Sequence, residues 1–88
     1  MSTYRVELRP AAAKSLKKID RQDQRRIQGA IALLADNPRP PGCKPLVGRP
    51  AWRVRVGNYR IIYTINDSVL VVVVVTLGHR RDAYRKPE

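Results

Sequence analysis

The chain has 88 residues, of which 43% are hydrophobic, and a formal net charge of +11 at pH 7. This length excludes a second hydrophobic core, so we expect one domain over residues 1–88. The single cysteine excludes an internal disulfide and any cysteine-based zinc site. The excess of Lys and Arg predicts an anionic partner, most commonly nucleic acid, with a solubilising surface or an acidic membrane as the alternatives.

The N-terminal residues have no apolar core of the secretory type. The longest apolar run, residues 69–75, is much shorter than the roughly 20 residues that span a bilayer as a helix. Together with the single cysteine, these features predict a soluble cytoplasmic protein that does not bind membranes.

The first half of the chain predicts one strand followed by two helices. Tyr4, Val6 and Leu8 alternate with charged residues, which is the pattern of a half-buried strand. Pro10 ends this strand and suits the first turn of a helix. Apolar residues then recur at helical spacing in two stretches, and the predicted helices cover residues 10–19 and 21–35.

A proline-rich stretch separates these helices from the second half of the chain. Asn37-Pro38 ends the second helix, and residues 36–50 contain five of the seven prolines. We predict an irregular connector here, without a domain boundary.

The second half predicts three strands with no helix between them. Apolar and basic residues alternate on both sides of Gly57-Asn58, which is a two-residue hairpin signal. The three predicted strands cover residues 52–56, 59–65 and 69–77. The predicted fold is α+β, with two N-terminal helices packed on one face of a small twisted, mainly antiparallel sheet in the order β-α-α-β-β-β.

The hairpin register separates basic from apolar side chains. With Gly57-Asn58 as the loop, Arg55 lies opposite Arg60, and Arg53 shares their face, away from the helices. Like charges placed opposite each other destabilise a sheet, so we interpret this face as a phosphate-binding surface. A solvated face with splayed side chains is the alternative. The tail that follows the last strand can extend the same face with His79, Arg80, Arg81, Tyr84 and Arg85.

Three segments of the chain resemble the RelE/ParE toxin superfamily, and the RelE-type toxins in particular. They are Lys-Pro-Leu-Val-Gly from Lys44, Trp-Arg-Val-Arg-Val-Gly-Asn-Tyr-Arg-Ile-Ile-Tyr ending at Tyr63, and Gly-His-Arg-Arg-Asp-Ala-Tyr-Arg ending at Arg85. The resemblance covers nearly the whole chain and implies a toxin that cuts mRNA in the ribosomal A site. It also implies a cognate antitoxin that holds the toxin inactive in a hetero-oligomer.

The reaction that the resemblance implies uses no metal and no other cofactor. A ribose 2′-hydroxyl attacks the adjacent phosphate and leaves a cyclic phosphate and a free 5′-hydroxyl. The seven carboxylates are scattered along the chain and include no pair suited to magnesium.

Roles can be carried over at the positions that match the family. Arg53 and Arg55 occupy two strand positions that are basic in RelE. Arg60 and Arg80 would hold the scissile phosphate and neutralise the charge of its transition state. Tyr84 would stack on a base or transfer a proton, and packing on the sheet edge is its structural alternative.

The chain departs from RelE at Arg53 and Arg55, where the best-known pattern has lysines. Arginine is a poor proton acceptor at neutral pH, so another group is expected to act as the general base. His79 is the first candidate and Lys44 the second, although a solvent-facing or structural role is the alternative for His79.

The other basic residues are predicted to contact RNA without taking part in catalysis. For those on the first helix, a solvated outer face is an equal alternative. The predicted RNA-binding residues are Lys44, Arg81, Arg85, Lys14, Lys17 and Lys18. Two other functions stay open: a ParE-like, non-enzymatic poison of DNA gyrase, and an RNA-binding toxin homologue with impaired catalysis.

Overall fold

Residues 3–79, the part of the chain that the computed structural model describes, form two helices and one five-stranded sheet. In chain order the elements are β1 (Arg5–Leu8), α1 (Pro10–Lys18), α2 (Arg21–Asp36), β2 (Lys44–Pro45), β3 (Trp52–Val56), β4 (Tyr59–Asn66) and β5 (Val71–His79).

The strands lie in the order β1-β5-β4-β3-β2. β1 runs parallel to β5, and every other neighbouring pair is antiparallel. The predicted α+β class and the mainly antiparallel sheet are therefore confirmed. The predicted element order is also confirmed, except that the short strand β2 is added before the hairpin.

Local sequence explains where the helices begin. Pro10 occupies the first turn of α1, where its missing N–H is not needed. Asp20 caps α2, since its Oδ1 accepts a hydrogen bond from the N–H of Asp23 at 3.2 Å. The side-chain amide of Gln24 donates to the carbonyl of Ile19 at 2.9 Å, which ties the first turn of α2 to the end of α1.

The hydrophobic core lies between the two helices and one face of the sheet. Burying one Val, Leu or Ile side chain stabilises a fold by roughly 1.5–3 kcal/mol. The buried core residues are Ala12, Ile27, Ile31, Leu34, Ile61, Tyr63, Val72, Val74 and Leu77. The opposite face of the sheet, turned away from α1 and α2, is called the outer face below.

The hairpin between β3 and β4 has the register that the sequence predicts. Arg55 pairs with Arg60, and Val54 pairs with Ile61. Gly57 has a φ of +59°, which glycine adopts without steric strain. A positive φ at the first loop position and not at the second is typical of a type II′ turn.

A β-bulge in β5 changes which side chains face the helices. Ile62 pairs with Thr76, but the next residue of β4, Tyr63, pairs with Val74, so β5 has one extra residue here. Before the bulge Val74 is buried in the core, and after it Leu77 is. The residues of β5 beyond the bulge are therefore shifted to the opposite face from the one that uninterrupted alternation would give.

The proline-rich stretch 36–50 is not wholly irregular. It contains β2, which places Lys44 directly opposite Arg53 of β3. The connector is also fixed to the core, because the buried Tyr63 hydroxyl donates a hydrogen bond to the carbonyl of Pro38 at 2.7 Å. Burial raises the pKa of this hydroxyl, so it stays protonated as the donor.

A cluster that we call the Arg39 clasp closes the end of the sheet farthest from the hairpin. The Arg39 guanidinium binds both carboxylate oxygens of Asp67, at 2.9 and 3.3 Å. The Tyr4 hydroxyl donates to Asp67 Oδ1 at 2.6 Å. Arg39 also lies over the ring of Trp52, 5.3 Å from its centroid. The clasp joins the N-terminal strand, the connector and the β4–β5 turn.

Within residues 3–79 no helix is both long enough and apolar enough to cross a membrane.

Candidate nucleic-acid interface

Four basic side chains from three neighbouring strands share the outer face of the sheet. We call them the cationic row; they are Lys44, Arg53, Arg55 and Arg60. Lys44 is directly opposite Arg53, and Arg55 is directly opposite Arg60. Directly opposite residues have their Cβ atoms about 5 Å apart, and alternate residues of one strand are about 7 Å apart. The cationic row therefore concentrates positive charge on a small area.

The members of the cationic row differ in burial. Arg60 is only 2% exposed and is the one charged residue that is buried among residues 3–79. Arg53 is half-buried, whereas Arg55 and Lys44 are exposed. Arginine is seldom fully buried in proteins. A buried guanidinium is also held in a restricted position, which suits a group that must meet a ligand in one orientation.

Acidic side chains do not neutralise the exposed part of the cationic row within the described chain. The three ion pairs found among residues 3–79 are Arg5–Glu7, Arg26–Asp23 and Arg39–Asp67. Two unit charges about 6 Å apart repel each other by roughly 3 kcal/mol at an effective dielectric constant of about 20. A bound anion would relieve this repulsion, and guanidinium groups match the oxygens of a phosphate with paired hydrogen bonds.

The cationic row can bind and stabilise negative charge, but its arginines cannot accept a proton at neutral pH. The structure brings Arg53, Arg55 and Arg60 together on one face, and their roles in holding phosphate groups stay predictions. Lys44 joins them through β2, a strand of two residues that is too short to show a periodic pattern in the sequence.

The structure does not place His79 on the outer face. His79 pairs with Tyr59, and the next pair along these strands is Gly78 with Arg60. Because neighbouring pairs point to opposite faces and Arg60 lies on the outer face, His79 does not. The rings of His79 and Tyr59 meet edge to face, with their centroids 5.6 Å apart, on the helix side of the sheet. The expectation that His79 extends the cationic face is thus not met. The physical reason is the bulge in β5, which reverses the faces of the residues that follow it.

The predicted RNA-binding lysines of the first helix are also separated from the cationic row. Lys14, Lys17 and Lys18 are exposed on α1, in the layer that covers the other face of the sheet. Their contact with RNA therefore needs a second surface and stays a prediction. The remaining predicted site residues lie outside the residues that the structure describes; they are Arg80, Arg81, Tyr84 and Arg85.

Comparison with known proteins identifies the family of the chain. The family model for the ParE toxin of the type II toxin–antitoxin system parDE matches residues 6–84. A protein described as a RelE-like toxin from Escherichia coli is 28% identical over 79 residues, which cover 88% of this chain and 83% of the relative. A protein described as toxin RelE1 from Methanocaldococcus jannaschii is 26% identical over 88 residues, covering 96% and 98%.

Solved structures show the same fold. A chain of the archaeal RelE–RelB complex from Pyrococcus horikoshii superposes with a TM-score of 0.80 at 28% identity, covering 89% of this chain and 96% of that one. A chain of the toxin–antitoxin complex RelBE2 from Mycobacterium tuberculosis gives a TM-score of 0.79 at 28% identity, covering 91% and 94%. The match of the family model to most of the chain, together with these relatives, shows that the protein belongs to the ParE toxin family of type II toxin–antitoxin systems, within the RelE/ParE superfamily.

Proposed function

We propose that this RelE-like toxin inhibits translation by cutting mRNA on the ribosome. The observation that carries the proposal is the position of Arg60, which is 2% exposed and stands directly opposite Arg55 on the outer face. Two guanidinium-bearing residues on one face of a sheet are suited to binding a phosphate, because their N–H groups match its oxygens. A ribosomal target also implies that the protein acts in the cytoplasm.

The proposed reaction is a transesterification within the RNA strand. The 2′-oxygen of a ribose attacks the adjacent phosphorus, and the bond from phosphorus to the 5′-oxygen breaks. The 2′-hydroxyl gives up a proton to a base, the 5′-oxygen takes one up, and the products are a cyclic phosphate and a 5′-hydroxyl. The reaction needs no metal, because cations of the protein can neutralise the extra charge of the transition state.

The arginines divide this work in the proposal. Arg60, together with Arg80, holds the scissile phosphate and stabilises the additional negative charge on its oxygens. Arg53 and Arg55 hold the neighbouring backbone and fix the position of the strand without reading its sequence. Tyr84 stacks on a base or transfers a proton.

The proton acceptor is the least defined part of the mechanism. Lys44 shares the outer face with Arg60, whereas His79 lies on the helix side of the sheet. We therefore place Lys44 before His79 as the proposed general base. Comparing the rates of cleavage by the Lys44→Ala and His79→Ala variants over a range of pH separates these two roles.

We further propose that a cognate antitoxin holds this protein inactive in a hetero-oligomer. The proposal is supported by the similar structures from P. horikoshii and M. tuberculosis, both of which are toxin–antitoxin complexes.

The test is expression of the chain without an antitoxin, followed by mapping of mRNA 5′ ends. We expect growth arrest, a stop in protein synthesis and new 5′ ends within codons of ribosome-bound mRNA. The Arg60→Ala variant serves as the inactive control.

The family model that matches the chain is named for ParE, and this favours a non-enzymatic gyrase poison as the second candidate. DNA damage signalling without new mRNA 5′ ends would contradict the nuclease and support that candidate. Arrested translation with intact mRNA would instead identify an RNA-binding homologue that has lost catalysis.

A further inference from the structure

Gly78 occupies an unusual place in the sheet. It is the only glycine within the strands of the described chain, and it follows a run of valine, threonine and leucine in β5. Glycine in the interior of a strand weakens it, because it loses more conformational entropy on folding and has no side chain to pack. A glycine at such a position often marks a close approach to the strand backbone.

The bulge in β5 places Gly78 on the outer face, directly opposite Arg60 of β4. On the other side of Arg60, in β3, stands Arg55. Arg60 thus lies between a like charge and a position that carries no side chain. A Cβ atom at residue 78 would stand about 5 Å from the Cβ of Arg60 and occupy part of the space beside its side chain.

The burial of the two arginines agrees with this arrangement. Arg55 is exposed, whereas Arg60 is 2% exposed. The two guanidinium groups therefore do not share one environment, although their backbones are paired. A side chain at position 78 would lie on the same face of the sheet as that of Arg60.

We propose that Gly78 is a positioning residue that holds the Arg60 guanidinium where it meets the scissile phosphate. This inference rests on the proposed nuclease function and assigns a role to a residue that does not itself touch the reacting atoms. Any side chain at position 78 displaces the guanidinium from its place. The chemical step then slows, while binding to the ribosome, which uses the rest of the basic surface, is retained.

The first experiment measures single-turnover cleavage on ribosomes programmed with a short mRNA. We expect Gly78→Val to slow cleavage by about 10²-fold, the scale for a catalytic group misplaced by about 1 Å, with Gly78→Ala less affected. The concentration of ribosomes that gives half the maximal rate should stay near that of the wild type. Thr64→Val is the matched control, because Thr64 lies on the outer face of β4 but pairs with Val73, four residues from Arg60, and this variant should cleave at the wild-type rate.

The decisive measurement is a double-mutant cycle with Arg60→Ala. If Gly78 acts through Arg60, then Gly78→Val slows the wild type but causes no further loss in the Arg60→Ala background. Equal losses in both backgrounds, or wild-type cleavage by Gly78→Val, would overturn the inference. Should Gly78→Val fail to fold, the smaller Gly78→Ala variant goes through the same cycle.

Urea unfolding of the same variants separates failure of this inference from failure of the proposed function. Valine favours strands, so Gly78→Val should raise the unfolding midpoint in the Arg60→Ala background. In a chain that keeps Arg60, Gly78→Val should raise the unfolding midpoint by less, because it also displaces the Arg60 side chain. One outcome is that the wild type cuts no mRNA while Gly78→Val still shifts the unfolding midpoint differently in the two backgrounds. That result would refute the nuclease and leave the packing of Arg60 against Gly78 intact. If no difference is found, the packing is refuted as well.

Discussion

The two ends of the sheet place arginine side chains next to different kinds of residue. At the end with the β4–β5 turn, Arg39 binds Asp67 through two hydrogen bonds and stacks on Trp52. At the hairpin end, Arg55 and Arg60 are placed directly opposite each other as like charges. One end thus pairs its arginine with an acid, and the other places two arginines opposite each other in the sheet.

This difference underlies our proposal that Arg39 serves the fold and Arg60 serves a ligand. Arg39 keeps 44% of its side chain exposed, yet it contacts Asp67 and Trp52, and Asp67 also accepts a hydrogen bond from Tyr4. These contacts therefore join segments that are far apart in the sequence. Arg60 is almost fully buried and pairs across the sheet with Arg55.

The largest expected effect is a contrast between variants of these two arginines, one losing cleavage and the other losing stability. Arg60→Ala should lower the rate of mRNA cleavage by about 10²–10³-fold, the range seen when one preorganised donor to a transition state is removed. Arg80→Ala is expected to act in the same way. Arg39→Ala should lower the unfolding midpoint and leave the cleavage rate of the folded protein near that of the wild type. Single-turnover cleavage and thermal unfolding of each variant give both values.

The control for the loss of buried volume in Arg60→Ala is Arg60→Met, which keeps most of the aliphatic volume but removes the charge. It should be as inactive as Arg60→Ala and should fold. Cleavage at the wild-type rate by either Arg60 variant would show that the cationic row does not hold the scissile phosphate. Loss of cleavage by folded Arg39→Ala would show that the two ends do not differ in function.

A smaller effect is expected in the salt dependence of RNA binding. The association constant for single-stranded RNA falls with salt, with a slope of about −0.7 per phosphate contact in a plot of the two logarithms. Replacing both Arg53 and Arg55 by alanine should therefore make the slope shallower by about 1.4. Fluorescence anisotropy with a short labelled RNA measures this slope, and Arg39→Ala should leave it unchanged. An unchanged slope in the double variant would place these two arginines outside the RNA contact.

Much of the hairpin end could be predicted from the sequence, because its signals are local. Gly57-Asn58 fixes the loop, and a two-residue loop fixes the register that brings Arg55 opposite Arg60. The predicted helices agree with α1 and α2 to within one residue at each end, since proline and an aspartate cap define their beginnings.

The face of the residues after the bulge could not be predicted. Residues 71–75 of β5 are all valine, so neither face has a distinct composition and an extra residue leaves no mark on the pattern. This is why the sequence suggested that His79 would join the cationic face, whereas the structure places it against Tyr59.

The Arg39 clasp was also absent from the prediction. Arg39 and Asp67 are separated by 28 residues, and no helical or strand period relates them. Only the register of the sheet and the course of the connector bring them together. Pairs formed by tertiary structure alone give no signal in a single sequence.

The smallest expected effect is the pH dependence of the clasp. Hydrogen bonds from Arg39 and then from Tyr4 lower the pKa of Asp67 below its ordinary value of 3.8. A carboxylate whose pKa is lower in the folded than in the unfolded state stabilises the fold at pH values above its unfolded pKa. This contribution should be constant near neutral pH and should decrease as the pH falls through 3.8 and then through the lower pKa of the folded state.

Thermal unfolding of the wild type and of Asp67→Asn between neutral and strongly acidic pH measures this contribution. At neutral pH the wild type should unfold at a temperature a few degrees higher, and the gap should close as the solution becomes acidic. Comparing the two proteins removes the repulsion among the basic residues, which both share. In an Arg39→Ala background most of the gap should be absent at every pH, because the hydrogen bonds that most lower the pKa of Asp67 come from Arg39. A gap that widens in acid, or that persists in full without Arg39, would mean that the turn end is held by packing and that its charges contribute no more than those at the hairpin end.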